Sequence, residues 1–133
     1  MRTRIGILVV AAIGLLIPLA RSAELRSPGI EPQELDARLG SDRAPMVVDV
    51  RSPTEYSSGH VPGAVNMPAP TVTRHLDELR RAPELVLYCN DRRFTAVAEQ
   101  LLTKAKVTGF VHLEGGLSAW RDQGLPLEST LPE

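Results

Sequence analysis

A single cysteine, Cys89, follows the apolar run Leu85-Val86-Leu87-Tyr88 and is followed by Asn90-Asp91-Arg92-Arg93-Phe94-Thr95. A thiol becomes a nucleophile when it is ionised, and the surrounding residues bear on that. Phe94, Val97, Ala98, Leu101, Leu102 and Ala105 recur at three- and four-residue steps, which predicts a helix with one apolar stripe starting just after the cysteine. The short apolar run before it has the length of a buried strand. Cys89 therefore stands at the carboxyl end of a strand, facing the unpaired N–H groups and positive dipole end of the next helix. A free thiol ionises near pH 8.5, and such surroundings bring that down to roughly 3.5–7.5. Arg92 and Arg93 add positive charge, while Asp91 opposes it unless it caps the helix by accepting backbone N–H bonds. Against this stands a plainer alternative, in which the cysteine is a small buried hydrophobe and the arginines are a solvated surface.

The elements that must position this stretch follow in order. Leu25 to Ile30 is a linker or first strand. Glu31 to Gly40 opens with proline and acids and ends in glycine, the start and stop signals of a helix. Pro45 to Arg51 is a buried strand halted by Ser52-Pro53, with Asp49 and Arg51 near its carboxyl end. Their expected role is structural, a carboxylate fixing the loop and pairing with the arginine. Thr54 to Gly59 is one helical turn, and His60 to Pro68 is a turn leading to a short strand. Val72 to Arg81 is an amphipathic surface helix. Gly109 to Leu113 is a last strand, Glu114-Gly115-Gly116 a turn, and Leu117 to Arg121 a final helix ended by Gly124. Strands alternating with helices predict an α/β fold with a mainly parallel sheet covered on both faces.

The N-terminus is of another kind. Arg2 and Arg4 precede an apolar run from Ile5 to Ala20, with small residues at Ala20, Ser22 and Ala23. This reads as a signal peptide over residues 1–22, leaving a single domain over residues 23–133. Cleavage after Ser22 puts Ala20 and Ser22 at the small-residue positions, whereas cleavage after Ala23 would put Arg21 at one of them. The competing reading is an uncleaved anchor, but about 15 apolar residues interrupted by Pro18 fall short of the roughly 20 that a spanning helix needs. Export to the periplasm is the expectation, without stable membrane insertion after cleavage.

Removing residues 1–22 deletes three arginines and no acid, so the net charge moves from −1 to −4. A mildly acidic domain argues against nucleic acid as a partner. With 43% hydrophobic and 23% charged residues, the composition is that of an ordinary globular chain with one core. In an oxidising compartment a lone cysteine cannot pair within its own chain, so it is either buried and inert or free and reactive. One cysteine and the scattered His60, His75 and His112 show no metal-ligand spacing. Neither a metal nor a cofactor is expected.

Asp49-Val50-Arg51, Glu55-Tyr56, Gly59-His60-Val61-Pro62-Gly63-Ala64, Tyr88-Cys89 and Glu114-Gly115-Gly116-Leu117-Ser118-Ala119-Trp120, in this order, together resemble the rhodanese (thiosulfate sulfurtransferase) domain, from about Ile30 to Leu127. Size and export signal are similar to the small single-domain periplasmic members. The resemblance implies a five-stranded, mainly parallel sheet with helices on both faces and a cysteine that cycles between thiolate and persulfide. Cys89 is then the catalytic nucleophile, taking sulfur from thiosulfate or a similar small anionic donor and passing it to cyanide or a thiol. Asn90, Asp91, Arg92, Arg93, Phe94 and Thr95 form the substrate-binding loop, whose backbone N–H groups cradle the persulfide, and Asp49 and Arg51 support it.

Two positions depart from the family pattern, which has glycine three residues after the cysteine and arginine or threonine five after; here these are Arg92 and Phe94. A loop conformation that favours glycine costs another residue about 1–2 kcal/mol, and Thr95 is placed to replace the lost hydroxyl. The alternative is a rhodanese-like sulfur carrier or binding module without turnover, docking a periplasmic protein partner. A cysteine phosphatase, which shares the fold, needs an arginine six positions after the cysteine, where this chain has Thr95. His60, Trp120, Glu55 and Asn66 are expected to be packing or supporting residues.

Overall fold

The computed structural model describes residues 27–131. The expected signal peptide and Leu25 at the start of the first segment lie outside the described residues. Five strands, β1 (Gly29–Ile30), β2 (Met46–Asp49), β3 (Val65–Asn66), β4 (Leu85–Tyr88) and β5 (Phe110–Leu113), form one sheet in the order β1-β5-β4-β2-β3. Every strand pair is parallel. Between the strands run α1 (Pro32–Leu39), α2 (Pro53–Ser58), a 3₁₀ segment (Ala69–His75) continuing into α3 (Leu76–Arg81), and α4 (Arg93–Lys104), with α5 (Gly116–Asp122) after β5.

A parallel sheet with helices on both sides must bury both faces of its central strands, and β4 does, since all four of its residues are buried. Alternation splits the core in two. Val47, Val86 and Tyr88 face one layer with Ile30, Leu35 of α1, and Leu117 and Trp120 of α5. Val48, Leu85 and Leu87 face the other, with Val72, Leu79 of α3, and Ala98 and Leu102 of α4. Cys89 continues this second set.

Local chemistry fixes the element ends. Ser52 and Glu55 make a capping box on α2: the Ser52 hydroxyl accepts from Glu55 N while Glu55 Oε2 accepts from Ser52 N at 3.1 Å. The Ser52 hydroxyl also donates to Glu55 Oε2 at 2.9 Å, and this bond first, then the one from Ser52 N, holds the Glu55 carboxyl below its ordinary range. The sequence predicted a surface helix from Val72 to Arg81. Instead a 3₁₀ stretch begins at Ala69, and Val72 is wholly buried against the core. Pro68 stands at the start of that stretch and has no N–H, and a proline opening the first turn suits such a segment. The chain also stays ordered past Leu127: Glu128 pairs with His60 in an antiparallel bridge, and Thr130 N donates to Ser57 O at 3.1 Å. Among the described residues, no helix is long and apolar enough to cross a membrane.

Leu87 is wholly buried at the centre of the sheet, whereas Val97 is 42% exposed. Leu87→Ala is expected to cost about 2–5 kcal/mol of unfolding free energy and Val97→Ala roughly 1 kcal/mol or less, read as shifts of the urea midpoint.

Candidate active site

β4 ends at Tyr88 and α4 begins at Arg93, so Cys89 to Arg92 form a four-residue loop at the carboxyl edge of the sheet. Open α/β sheets hold ligands at this edge. The Cys89 residue is wholly buried. Its sulfur accepts a hydrogen bond from the Thr95 hydroxyl at 3.2 Å and donates to the Asp91 carbonyl oxygen. Thr95 itself is 2% exposed. The hydroxyl expected to compensate for Phe94 therefore reaches the sulfur, from the first turn of α4.

The loop acids and cations are matched to one another. Asp91 Oδ1 accepts from Arg93 N, the first N–H of α4, at 2.8 Å, and Oδ2 lies 3.2 Å from Arg93 Nη2, while the N-cap position itself is Arg92. The Arg93 backbone bond first, then its side chain, holds the Asp91 carboxyl below its ordinary range. Arg92 Nη2 meets the buried Glu99 carboxylate at 3.3 Å. Its Nη1 is buried with no partner among the described residues. Arg93 and Phe94 are exposed, at 89% for the Arg93 side chain and 56% for Phe94. Arg92 has φ −100° and ψ −8°, so the loop does not take the left-handed turn there that would strain a residue other than glycine. The peptide before it turns its carbonyl oxygen, that of Asp91, to the sulfur.

A buried ion pair anchors the loop from the neighbouring strand. Asp49, wholly buried, accepts from Arg51 N at 2.9 Å and from Arg51 Nη2 at 2.6 Å, and from the Tyr88 hydroxyl at 2.8 Å. The strand register makes this meeting unavoidable, because Asp49 and Tyr88 are direct partners on β2 and β4. Arg51 in turn donates to Gly59 O and, through Nη1, to Asn90 Oδ1. Asn90 Nδ2 donates to Glu55 Oε1 at 2.9 Å, so the residue after Cys89 is held from two sides. Burial disfavours the Arg51 charge, but bonding to Asp49 and its proximity outweigh this and raise the guanidinium above its ordinary value. Burial, then the Asp49 charge, pushes the Tyr88 phenol well up, so it remains a neutral donor.

The start of α5 docks beneath the same loop. Leu117 N donates to Cys89 O at 2.8 Å and Ser118 N to Asn90 O at 3.3 Å. Gly116 makes this approach possible: it has φ +60°, and a Cβ there would stand 2.5 Å from Cys89 O. This gives the Glu114-Gly115-Gly116 segment its physical reason.

Of the residues singled out in the sequence, Cys89, Asp91 and Thr95 converge on the sulfur, and Asp49, Arg51 and Asn90 form the frame. Arg92, Arg93 and Phe94 make no hydrogen bond to it. Asn66 Nδ2 donates to Asp49 O and Arg51 O at 3.0 Å each, a supporting role. His60 stacks on Tyr56 with ring centroids 3.8 Å apart, and Trp120 Nε1 donates to Pro126 O. Sequence reasoning missed a second polar group behind α4, where Glu99 accepts from the Ser27 hydroxyl at 2.6 Å and the buried His112 lies between Ser27 Oγ and Glu114 Oε1. The apolar spacing did not mark it: Glu99 lies beside the predicted stripe, on the face that α4 buries with Thr95, Ala98 and Leu102. Between this group and the loop is a recess of about 40 Å³ lined by Asp91, Arg92, Thr95, His112 and Glu114.

Comparison with known proteins agrees with this architecture. Residues 31–123 match the rhodanese-like domain family model. The uncharacterized protein slr1261 of Synechocystis sp. is 36% identical over 101 residues, 76% of this chain but only 56% of that protein's length. A sulfurtransferase of Allochromatium vinosum is 28% identical over 98 residues, covering 74% of this chain and 92% of that one. The crystal structure of thiosulfate sulfurtransferase from Pseudomonas aeruginosa superimposes with a TM-score of 0.67 at 29% identity, over 78% of this chain and 20% of that chain.

Among the described residues, the Thr95 hydroxyl is the one side-chain donor on the sulfur. A hydrogen bond to a charged group is worth about 1.5–3 kcal/mol. Thr95→Val is therefore expected to slow alkylation of Cys89 by iodoacetamide at pH 7 by roughly tenfold or more, while Thr95→Ser retains most of the rate.

Proposed function

This chain belongs to the rhodanese-like domain family, and we propose on that basis that it is a sulfurtransferase in which Cys89 carries a sulfane sulfur from thiosulfate or a similar donor to cyanide or a thiol. The observation that carries the reading is the placement of the sole cysteine on the loop between β4 and α4, with the Thr95 hydroxyl on its sulfur. The sulfurtransferase relative and the thiosulfate sulfurtransferase structure support it at modest identity.

The steps balance as follows. The Cys89 S–H gives its proton to a solvent base. The thiolate attacks the outer sulfur of thiosulfate; a Cys89 S–S bond forms, the S–S bond of the donor breaks, and sulfite leaves with that electron pair. The terminal persulfide sulfur is then attacked by cyanide, which departs as thiocyanate and returns Cys89 as a thiolate. In this reading Thr95 steadies the sulfur while it carries charge. The Asp49–Arg51 pair with Asn90 holds the loop, and Arg92 and Arg93 offer charge for approach of an anionic donor once it loosens their present partners.

The setting proposed is the periplasm, after loss of residues 1–22. A second reading is favoured by one specific observation, the complete burial of the sulfur. On that reading the domain is a sulfur carrier or binding module that docks a periplasmic protein and does not turn over small donors.

Incubation with thiosulfate is expected to add 32 Da to Cys89 by mass spectrometry, and cyanide to yield thiocyanate over many cycles, both abolished in Cys89→Ser. One adduct without multiple turnover would instead favour the carrier, and no adduct would contradict sulfur transfer from thiosulfate and leave the binding module.

A further inference from the structure

The peptide joining Asp91 to Arg92 presents the wrong atom to an anionic sulfur. Its carbonyl oxygen accepts from Sγ, an arrangement that suits S–H and opposes a thiolate. Because Cys89 is wholly buried, water cannot relieve that opposition. The other side of the same peptide plane carries the Arg92 N–H, which would favour the anion. The neighbouring charges do not supply a substitute: Arg93 is paired with Asp91, Arg92 with Glu99, and Arg51 with Asp49.

Half a turn of this peptide plane exchanges the two groups. Such a turn changes ψ of Asp91 and φ of Arg92 by about 180° in opposite senses, leaving the flanking chain where it is. Arg92 now stands at φ −100°, ψ −8°, the values of the third residue in a type I turn. After the turn it would stand near φ +80°, ψ 0°, the type II values, which glycine adopts freely and other residues do not. The obstacle is therefore the Cβ of residue 92 and not its charge.

We propose that the Asp91–Arg92 peptide has two positions, carbonyl-in at rest and N–H-in when the sulfur is anionic, and that Arg92 is the positioning residue whose φ angle sets how readily Cys89 ionises. This rests on the reading of Cys89 as the sulfur carrier. The side chain holds the resting position as well: its Nη2 is tied to the buried carboxylate of Glu99, about two turns along α4. The titratable and charged groups facing the loop are Asp91 and Arg93 from the loop and α4, Glu99 from α4, His112 and Glu114 at the end of β5, Arg51 through Asn90 from the end of β2, and Glu55 through Asn90 from α2.

The test compares Arg92→Ala with Arg92→Gly in the full chain. Both remove the guanidinium and leave Glu99 without it, so their difference isolates the backbone. The pH profile of iodoacetamide alkylation is expected to lie at lower pH in the glycine variant, with a rate at pH 7 about five- to thirty-fold above that of the alanine variant, the Boltzmann factor of the left-handed penalty. Arg92→Asn, which tolerates left-handed φ better than alanine does, is expected to fall between them. Equal rates for Gly and Ala would overturn the proposal, and so would an Asn variant no faster than Ala. Alkylation needs no sulfur donor: a fast glycine variant that forms no persulfide would sink the transfer reading alone, and persulfide formation with equal alkylation rates would sink this one alone.

Discussion

The ion pair between Asp49 and Arg51 is the interaction on which the rest of the site depends. Two charges taken out of water are costly unless geometry and further hydrogen bonds compensate. Here they do, because the carboxylate also receives the Tyr88 hydroxyl and the guanidinium also reaches Gly59 O and Asn90 Oδ1. The Tyr88 oxygen in turn accepts from Val61 N at 3.0 Å. One buried pair thus ties β2 to β4, to the turn after α2 and to the residue following the cysteine. Removing either member would leave the other buried and unpaired, a loss of about 3–5 kcal/mol, and would release Asn90 from the frame.

What this frame holds is a compromise. Placing a cysteine where β4 meets α4 suggests an exposed, ionised sulfur in an electropositive mouth. The fold delivers instead a sulfur sealed among Val48, Leu87 and Ala98, with one hydroxyl donor and one carbonyl acceptor beside it. Burial protects a thiol from adventitious oxidation, since reactivity follows thiolate character and access. The same burial requires the loop to rearrange before a donor can reach the sulfur. The two arginines in the loop are each held by an acid, so they steer at long range only weakly until those pairs open.

Much of the fold was legible because its signals are local. The β4 strand, the α4 helix, the proline and acids opening α1 and the glycine turn before α5 all appear where periodicity and turn chemistry put them. The face that α4 buries, however, is Thr95, Ala98, Glu99 and Leu102, and Phe94 and Val97 of the expected stripe are exposed. The pairing of Asp49 with Arg51 was legible too, two residues apart on one strand end. The parts that escaped depend on register and long-range packing. That Tyr88 would bond to Asp49 follows only once β2 and β4 are aligned, and that Ala69 to His75 would wind as 3₁₀ follows from Val72 needing a place in the core. Ser27, Glu99, His112 and Glu114 come from three separated segments, and no spacing in the sequence announces their meeting. The direction of the Asp91 carbonyl is likewise a property of one backbone torsion, invisible in residue types.

The most direct measurement is isotopic. Protein incubated with thiosulfate labelled with ³⁵S only at its outer sulfur, then separated from the reagent, should carry about one label per chain on Cys89 and release it as labelled thiocyanate with cyanide. Thiosulfate labelled only at the inner sulfur should leave the protein unlabelled. A chain that takes up neither label, or takes up the inner sulfur, would contradict transfer through a Cys89 persulfide.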